Sequence, residues 1–278
     1  MDQGGLPFDD ELERQFNPRV TVPDFQHYLD RAAAASRAAR AECPAFFDVR
    51  YGDGPRQSVD VFPADDLEAP VLVFVHGGFW RALGKEQFSG LAATMRPQGI
   101  ATVLVGYDLC PAVTLDTIVR QVADAVGWCR PGLARLGLRP RRMVLAGSSA
   151  GAHLVAMALF GRGGTGVDGA CLVSGIYDLA PVLRISVNRD IRLDEDAARR
   201  NSPIARVRWL GLPLIVAVGA RESPAWRQQS ASFARRCIAE GIDTGFIELP
   251  LAHHFSTGLA ISGSTINRLT AKLCIGQR

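Results

Sequence analysis

Residues 142–153 read Arg-Met-Val-Leu-Ala-Gly-Ser-Ser-Ala-Gly-Ala-His, so an apolar run enters a Gly-x-Ser-x-Gly turn and an alanine-rich apolar segment leaves it. A serine at the tip of a sharp strand-to-helix turn is held in strained backbone geometry with its hydroxyl above the sheet. Ser149 is therefore the candidate nucleophile. Gly147 and Gly151 stand two residues away on either side, and without Cβ atoms they let the two arms of the turn pack closely. Ser148 lacks such a flanking pair. A Gly/Ser turn without chemistry fits the same five residues, so the assignment depends on partners elsewhere in the chain.

A hydroxyl is a weak nucleophile at neutral pH; it needs a base, and the base needs an orienting acid. When a nucleophile sits on such a turn, the acid and the histidine follow it in that order. Both belong in loops at the carboxyl ends of later strands, where sites in open α/β sheets form. After residues 214–218 comes Gly219-Ala220-Arg221-Glu222-Ser223-Pro224, in which Glu222 is the only carboxylate. After residues 245–249 comes Pro250-Leu251-Ala252-His253-His254-Phe255, with two histidines where a base belongs. His153, one helical turn beyond Ser149, reads as a packing residue, and His27 as structural. The tetrahedral intermediate needs an oxyanion hole. The amide of Ala150, just after the nucleophile, is one donor. Others come from His76-Gly77-Gly78-Phe79-Trp80, where the adjacent glycines Gly77 and Gly78 let backbone amides approach a substrate oxygen. Phe79 and Trp80 either pack in the core or reach the substrate pocket.

The elements that must position these groups alternate along the chain. Residues 24–43 are rich in alanine and arginine and are expected to be helical, capped by Pro23-Asp24. Residues 46–51 and 58–62 flank Gly52-Asp53-Gly54-Pro55 and predict an antiparallel hairpin. Continuous apolar runs at 71–75, 101–105, 143–146, 169–173, 214–218 and 245–249 predict buried strands. Helices are expected at 87–96, 115–134, 149–160, 224–240 and 256–273. This pattern predicts a mostly parallel eight-stranded sheet with helices on both faces, an α/β-hydrolase-like fold in a single domain over 1–278. A helical arm over 9–43 precedes it. Residues 179–210 break the rhythm, with no strand and seven arginines against four acids. They read as a solvated helical insertion, or as a cap over the site whose arginines can pair a substrate carboxylate.

Bulk composition excludes other classes. The chain of 278 residues is 47% hydrophobic and 21% charged, enough for a core without staples. A net charge of +3 is too small to argue for nucleic acid or an anionic membrane. The six scattered cysteines form no Cys-x-x-Cys or zinc spacing, and the five histidines show no paired metal-ligand spacing. No apolar run approaches membrane-spanning length, and residues 1–10 lack a signal-peptide apolar region. The expectation is a cytoplasmic protein with a small-molecule substrate, no metal, no nucleic acid and no membrane partner.

Together these motifs resemble the α/β-hydrolase kynurenine formamidases (arylformamidases), close to the hormone-sensitive-lipase-like esterases. The esterases usually carry His-Gly-Gly-Gly, and the formamidases His-Gly-Gly-aromatic-Trp, as His76 to Trp80 does. Leu12 to Asn17, Tyr107 to Pro111, Ser174 to Leu179, Asn201-Ser202-Pro203 and His254-Phe255 are similar as well. The resemblance implies Ser149 as nucleophile, His254 rather than His253 as base, and Glu222 as acid. It also suggests Tyr177 as a pocket residue. The family usually has Asp at the acid, followed by Ser-Pro and then Glu-Phe; here Ser223-Pro224 persists but Ala225-Trp226 follows. The implied activity is hydrolysis of N-formylkynurenine, a step of tryptophan catabolism, without a cofactor and in a homodimer. A carboxylesterase or amidase acting on a small acyl ester or a specialised metabolite is the alternative. A catalytically silent interaction protein fits less well, because all three catalytic residue types are retained.

Overall fold

The computed structural model describes residues 7–162, 166–257 and 264–277. Eight strands form one sheet: β1 (Phe46–Arg50), β2 (Ser58–Phe62), β3 (Val71–Val75), β4 (Ala101–Val105), β5 (Met143–Ser148), β6 (Gly169–Val173), β7 (Leu214–Gly219) and β8 (Thr244–Leu249). Their spatial order is β1-β2-β4-β3-β5-β6-β7-β8. β2 runs antiparallel to both neighbours, and every other pair is parallel. The expected α/β-hydrolase sheet is therefore present, hairpin included.

Period-two alternation explains why the central strands read as unbroken apolar runs. On β3, Val71, Val73 and Val75 enter one core with Ile118 and Val122 of α5 (Leu115–Arg135) and Leu154 of α6 (Ala150–Arg162). Leu72 and Phe74 enter the opposite core with Leu91 and Met95 of α4 (Gly90–Met95) and Ile266 of α10 (Thr265–Cys274). Both faces are covered, so apolar residues dominate these strands. Each such side chain contributes about 1.5–3 kcal/mol by leaving water. Helix α6 is buried on every side from Ala150 to Phe160, which accounts for its lack of a polar stripe. The six cysteines are free thiols.

Before the sheet, the arm folds as α1 (Asp10–Phe16), α2 (Pro18–Thr21) and α3 (Phe25–Glu42). Asp9 and Asn17 cap the first two with their side chains. The cap expected from Asp24 is not formed: its backbone, at φ −92° and ψ 19°, is not extended, and its side chain makes no capping bond. The single helix expected over 87–96 is instead a 3₁₀ turn (Lys85–Phe88), then α4, then a second 3₁₀ turn (Arg96–Gln98) around Pro97. Residues 179–210 hold a 3₁₀ turn (Ala180–Arg184), α7 (Asn188–Ile191), α8 (Glu195–Arg200) and another 3₁₀ turn (Pro203–Arg206), with no strand. Helix α9 (Pro224–Ala239) follows β7. Of the helix expected over 256–273, residues 265–273 lie in α10, and residues 258–263 fall outside the described residues.

Candidate active site

Ser149 sits where β5 turns into α6, near the middle of the sheet. Its φ is +57°, a left-handed conformation that a serine adopts only when its surroundings enforce it. Its amide donates to the Val173 carbonyl at 2.8 Å, which pins the turn to β6. A Cβ at Gly151 would run into the carbonyl oxygen of Val75, so only glycine lets α6 lie this close to β3.

Three loops converge on this serine. His254 Nε2 lies 3.0 Å from the Ser149 hydroxyl, which donates to it. The other ring nitrogen, Nδ1, donates to Glu222 Oε2 at 2.6 Å. The second oxygen of Glu222 accepts from the Gly219 amide at 2.7 Å and from the Ser174 hydroxyl at 2.6 Å. The carboxylate is thus fixed on both oxygens, with its side chain only 2% exposed. Thr257 closes the assembly by donating to the His254 carbonyl at 3.1 Å. Trp226 packs edge-on against the His254 ring at 4.5 Å, and its indole N–H donates to the Ser174 carbonyl at 2.8 Å. His253 faces away from the serine, against Tyr28 of α3.

Sequence reasoning missed Ser174, Thr257 and Trp226. Ser174 carries its own signal, since it is the first residue after β6 in the sheet neighbouring β5, and it holds φ +51°.

The glycine loop after β3 supplies the opposite wall. A Cβ on Gly77 would lie 3.2 Å from Ser149 Cβ and 2.9 Å from the Ser148 carbonyl oxygen. Gly78 has φ +112°, and Phe79 and Trp80 follow at +50° and +57°. The amides of Arg81 and Ala82 both donate to the Gly78 carbonyl at 3.1 Å, which closes this left-handed turn. Ala150 is the first residue of α6, where backbone N–H groups have no intrahelical acceptor. Behind the loop, Tyr107 stacks on His76 at 4.2 Å and donates to its carbonyl at 2.8 Å. Burial pulls His76 down to about 4, so it stays neutral and structural. His153 is likewise held at about 4 by burial; it accepts from the Trp80 indole and donates to the Asn201 carbonyl.

A family model described as BD-FAE matches residues 60–175. A kynurenine formamidase from Salmo salar is 33% identical over 89% of each chain. One from Danio rerio is 31% identical over the same shares. The chain belongs to the kynurenine formamidase family. Among solved structures, a Silicibacter sp. TM1040 protein provisionally classed as a thioesterase superposes with a TM-score of 0.83. It is 29% identical and covers 94% of this chain and 99% of its own. The family and its esterase-like neighbours are hydrolases, and this member is a hydrolase with the same fold.

The formamidase-family pocket opens in front of Ser149 as a cavity of about 520 Å³. Gly77, Gly78, Phe79, His254 and Phe255 line its floor. Trp80 and Tyr177, both expected at the pocket, are core residues with no exposure. Trp80 is turned inward to reach His153, and Tyr177 is stacked on Phe233 at 3.9 Å. Five of the seven arginines of 179–210 are also committed elsewhere. Arg184 pairs with Asp9, Arg199 with Asp196 and Arg200 with Asp116, while Arg206 and Arg208 donate to backbone carbonyls. Of that segment only Val187 reaches the cavity. The outer wall comes from the arm instead, where Tyr28, Ala32, Ala35 and Ser36 of α3 lie on one helical face. The arm is tied down by Arg40, which pairs with buried Asp60 of β2 at 2.5 Å. Asp60 in turn receives Lys85 at 2.8 Å, from the loop beyond Gly84. Among the described residues, no group of His, Cys, Asp or Glu is placed to hold a metal ion.

Proposed function

We propose that this enzyme hydrolyses the formamide of an aryl amine, an N-formylkynurenine-like substrate, through a formyl-serine intermediate. The observation that carries the reading is the continuous relay Ser149–His254–Glu222, set across an aromatic-lined cavity from Gly77-Gly78. The Ser149 hydroxyl transfers its proton to His254 Nε2 as the oxygen attacks the formyl carbon. Amides of Ala150 and Gly78, with Gly77 alongside, hold the oxyanion; each such donor is worth roughly 3 kcal/mol in the transition state. His254 then returns its proton to the aryl nitrogen, the C–N bond breaks, and the free amine leaves. Water, deprotonated by the same histidine, attacks the formyl-serine and releases formate.

The test compares wild type with Ser149→Ala on N-formylkynurenine. Turnover should fall on the order of 10⁵-fold, and a variant that keeps wild-type turnover sinks the reading. A second reading, hydrolysis of small acyl esters or thioesters by the same residues, is favoured by the likeness to the Silicibacter protein. Comparing kcat/KM for a formanilide and a matched aryl acetate separates the two.

The same proposal includes a homodimer, supported by the exposed Phe246 on the unpaired edge of β8, and sedimentation velocity reads it directly. It also includes a reducing, cytoplasmic setting, supported by the six free thiols. The domain reading becomes one hydrolase domain, 1–278, whose site is covered mainly by the arm at 9–43.

A further inference from the structure

Three arginines line the cavity, Arg19, Arg31 and Arg81, and among the described residues no Asp or Glu does. Arg81 is already neutralised by Asp190. Arg19 and Arg31 are exposed, and neither has a carboxylate partner among the described residues. Arg19 is nonetheless held in place: its guanidinium lies 5.2 Å over the Phe25 ring, which packs at 5.5 Å on Phe255, the neighbour of His254. Leu29, Ala32 and Ala35 of α3 line the same cavity with apolar side chains. An open cavity thus has a nucleophile at its floor and uncompensated positive charge at its rim.

We propose that Arg19 and Arg31 bind a carboxylate carried on the distal end of the substrate, so that the preferred substrates are anionic. This rests on the formamidase reading and deepens it. A planar guanidinium offers two parallel donors that match a carboxylate, and it keeps its charge at every working pH. Since no Asp or Glu among the described residues lines the cavity, an α-ammonium on the same substrate finds no ion pair there. The recognised features are then the formamide, the aryl ring and the carboxylate, with the amine dispensable. The arginine side chains come from the arm, so the arm both walls the pocket and sets its charge preference.

The experiment measures kcat and KM on four formamides: N-formylkynurenine, its desamino analogue, its α-carboxamide, and plain formanilide. Wild type is compared with Arg19→Gln, Arg31→Gln and the double variant. The two carboxylates should be comparable substrates in wild type, and both should outperform the carboxamide. The double variant should raise KM for the acids about tenfold. Its kcat should stay within about twofold, and the neutral substrates should be unaffected. Added salt should narrow the gap between acids and neutrals, because the rim is solvated. Equal turnover of acid and carboxamide by wild type, or an equal loss on all substrates in the double variant, overturns the proposal. If no formamide is cleaved while aryl esters are, the formamidase reading fails separately. The same arginine comparison is then read on an aryl hemisuccinate against an aryl acetate, with the same two outcomes.

Discussion

Replacing Glu222 by glutamine tests the relay with almost no change in shape. Oε1 of Glu222 receives two donors, the Gly219 amide and the Ser174 hydroxyl, whereas Oε2 receives only His254 Nδ1. A glutamine has a single oxygen, and the Gly219 N–H can only donate, so that oxygen must take the Oε1 place. The amide NH₂ then faces His254 Nδ1. Two donors cannot meet, so the imidazole takes its other tautomer, with the proton on Nε2 pointing at Ser149. The base is lost while the fold is kept. Flipping the amide would restore His254 only by setting NH₂ against the Gly219 N–H, two buried donors that repel and are both left unsatisfied, so the flipped form stays rare. Forcing the wrong tautomer in such a relay lowers kcat on the order of 10⁴-fold, which is about 5 kcal/mol of barrier. The assay is kcat on an activated aryl formamide, beside the rate of fluorophosphonate labelling of Ser149. Thermal unfolding verifies that the variant is folded. A folded Glu222→Gln protein that keeps activity within tenfold of wild type refutes the role given to Glu222.

Two further outcomes follow from buried groups. His76 and His153 titrate near 6.5 when unfolded but only near 4 when folded, because burial disfavours their charge. Between those values the unfolded chain binds more protons, so stability is complete above about pH 6.5, is lost as pH falls toward 4, and levels off below. Each histidine accounts for about 3 kcal/mol across that window. Urea unfolding at a series of pH values measures this, and stability that stays flat from pH 7 to 4.5 contradicts it. The hydroxyl of Tyr177 is buried beside the Gly175 backbone without a well-aligned hydrogen bond. Tyr177→Phe should therefore leave kcat/KM unchanged and be neutral to about 1 kcal/mol stabilising. A change in substrate preference would put that ring back in the pocket.

Much of the site was legible because the chemistry imposes an order. A serine on a strand-to-helix turn requires an acid and a histidine in later post-strand loops; Glu222 was the carboxylate available there, and the family resemblance chose His254 over its neighbour His253. Strands were legible for a related reason: a sheet covered on both faces demands continuous apolar runs. Three things were not legible. Ser174 is a lone serine after a strand, and its bond to Glu222 joins residues far apart in the chain. Trp80 and Tyr177 lie in motif segments near the site, but local pattern does not say which way a ring turns, and His153 and Phe233 decided it. The arginines of 179–210 drew attention by their density, yet Arg184, Arg199 and Arg200 are paired with Asp9, Asp196 and Asp116, away from the cavity. The arginines that do line the cavity without a carboxylate, Arg19 and Arg31, were in the arm, whose docking over the pocket depends on distant contacts such as Arg40 with Asp60.

The arm also sets when activity can appear during synthesis. Its Gln15 carbonyl accepts from Ser223 at 2.5 Å, and Tyr28 rests 4.6 Å from His253, so a segment made before the sheet is seated on loops made after β7 and β8. Domains are made from the amino end onward. A nascent chain therefore carries its glycine loop and serine turn without acid or base until the loops holding Glu222 and His254 have been made. Hydrolytic competence arrives only with the loop that carries His254, and the same loop, through His253 against Tyr28, seats the wall that selects what is hydrolysed.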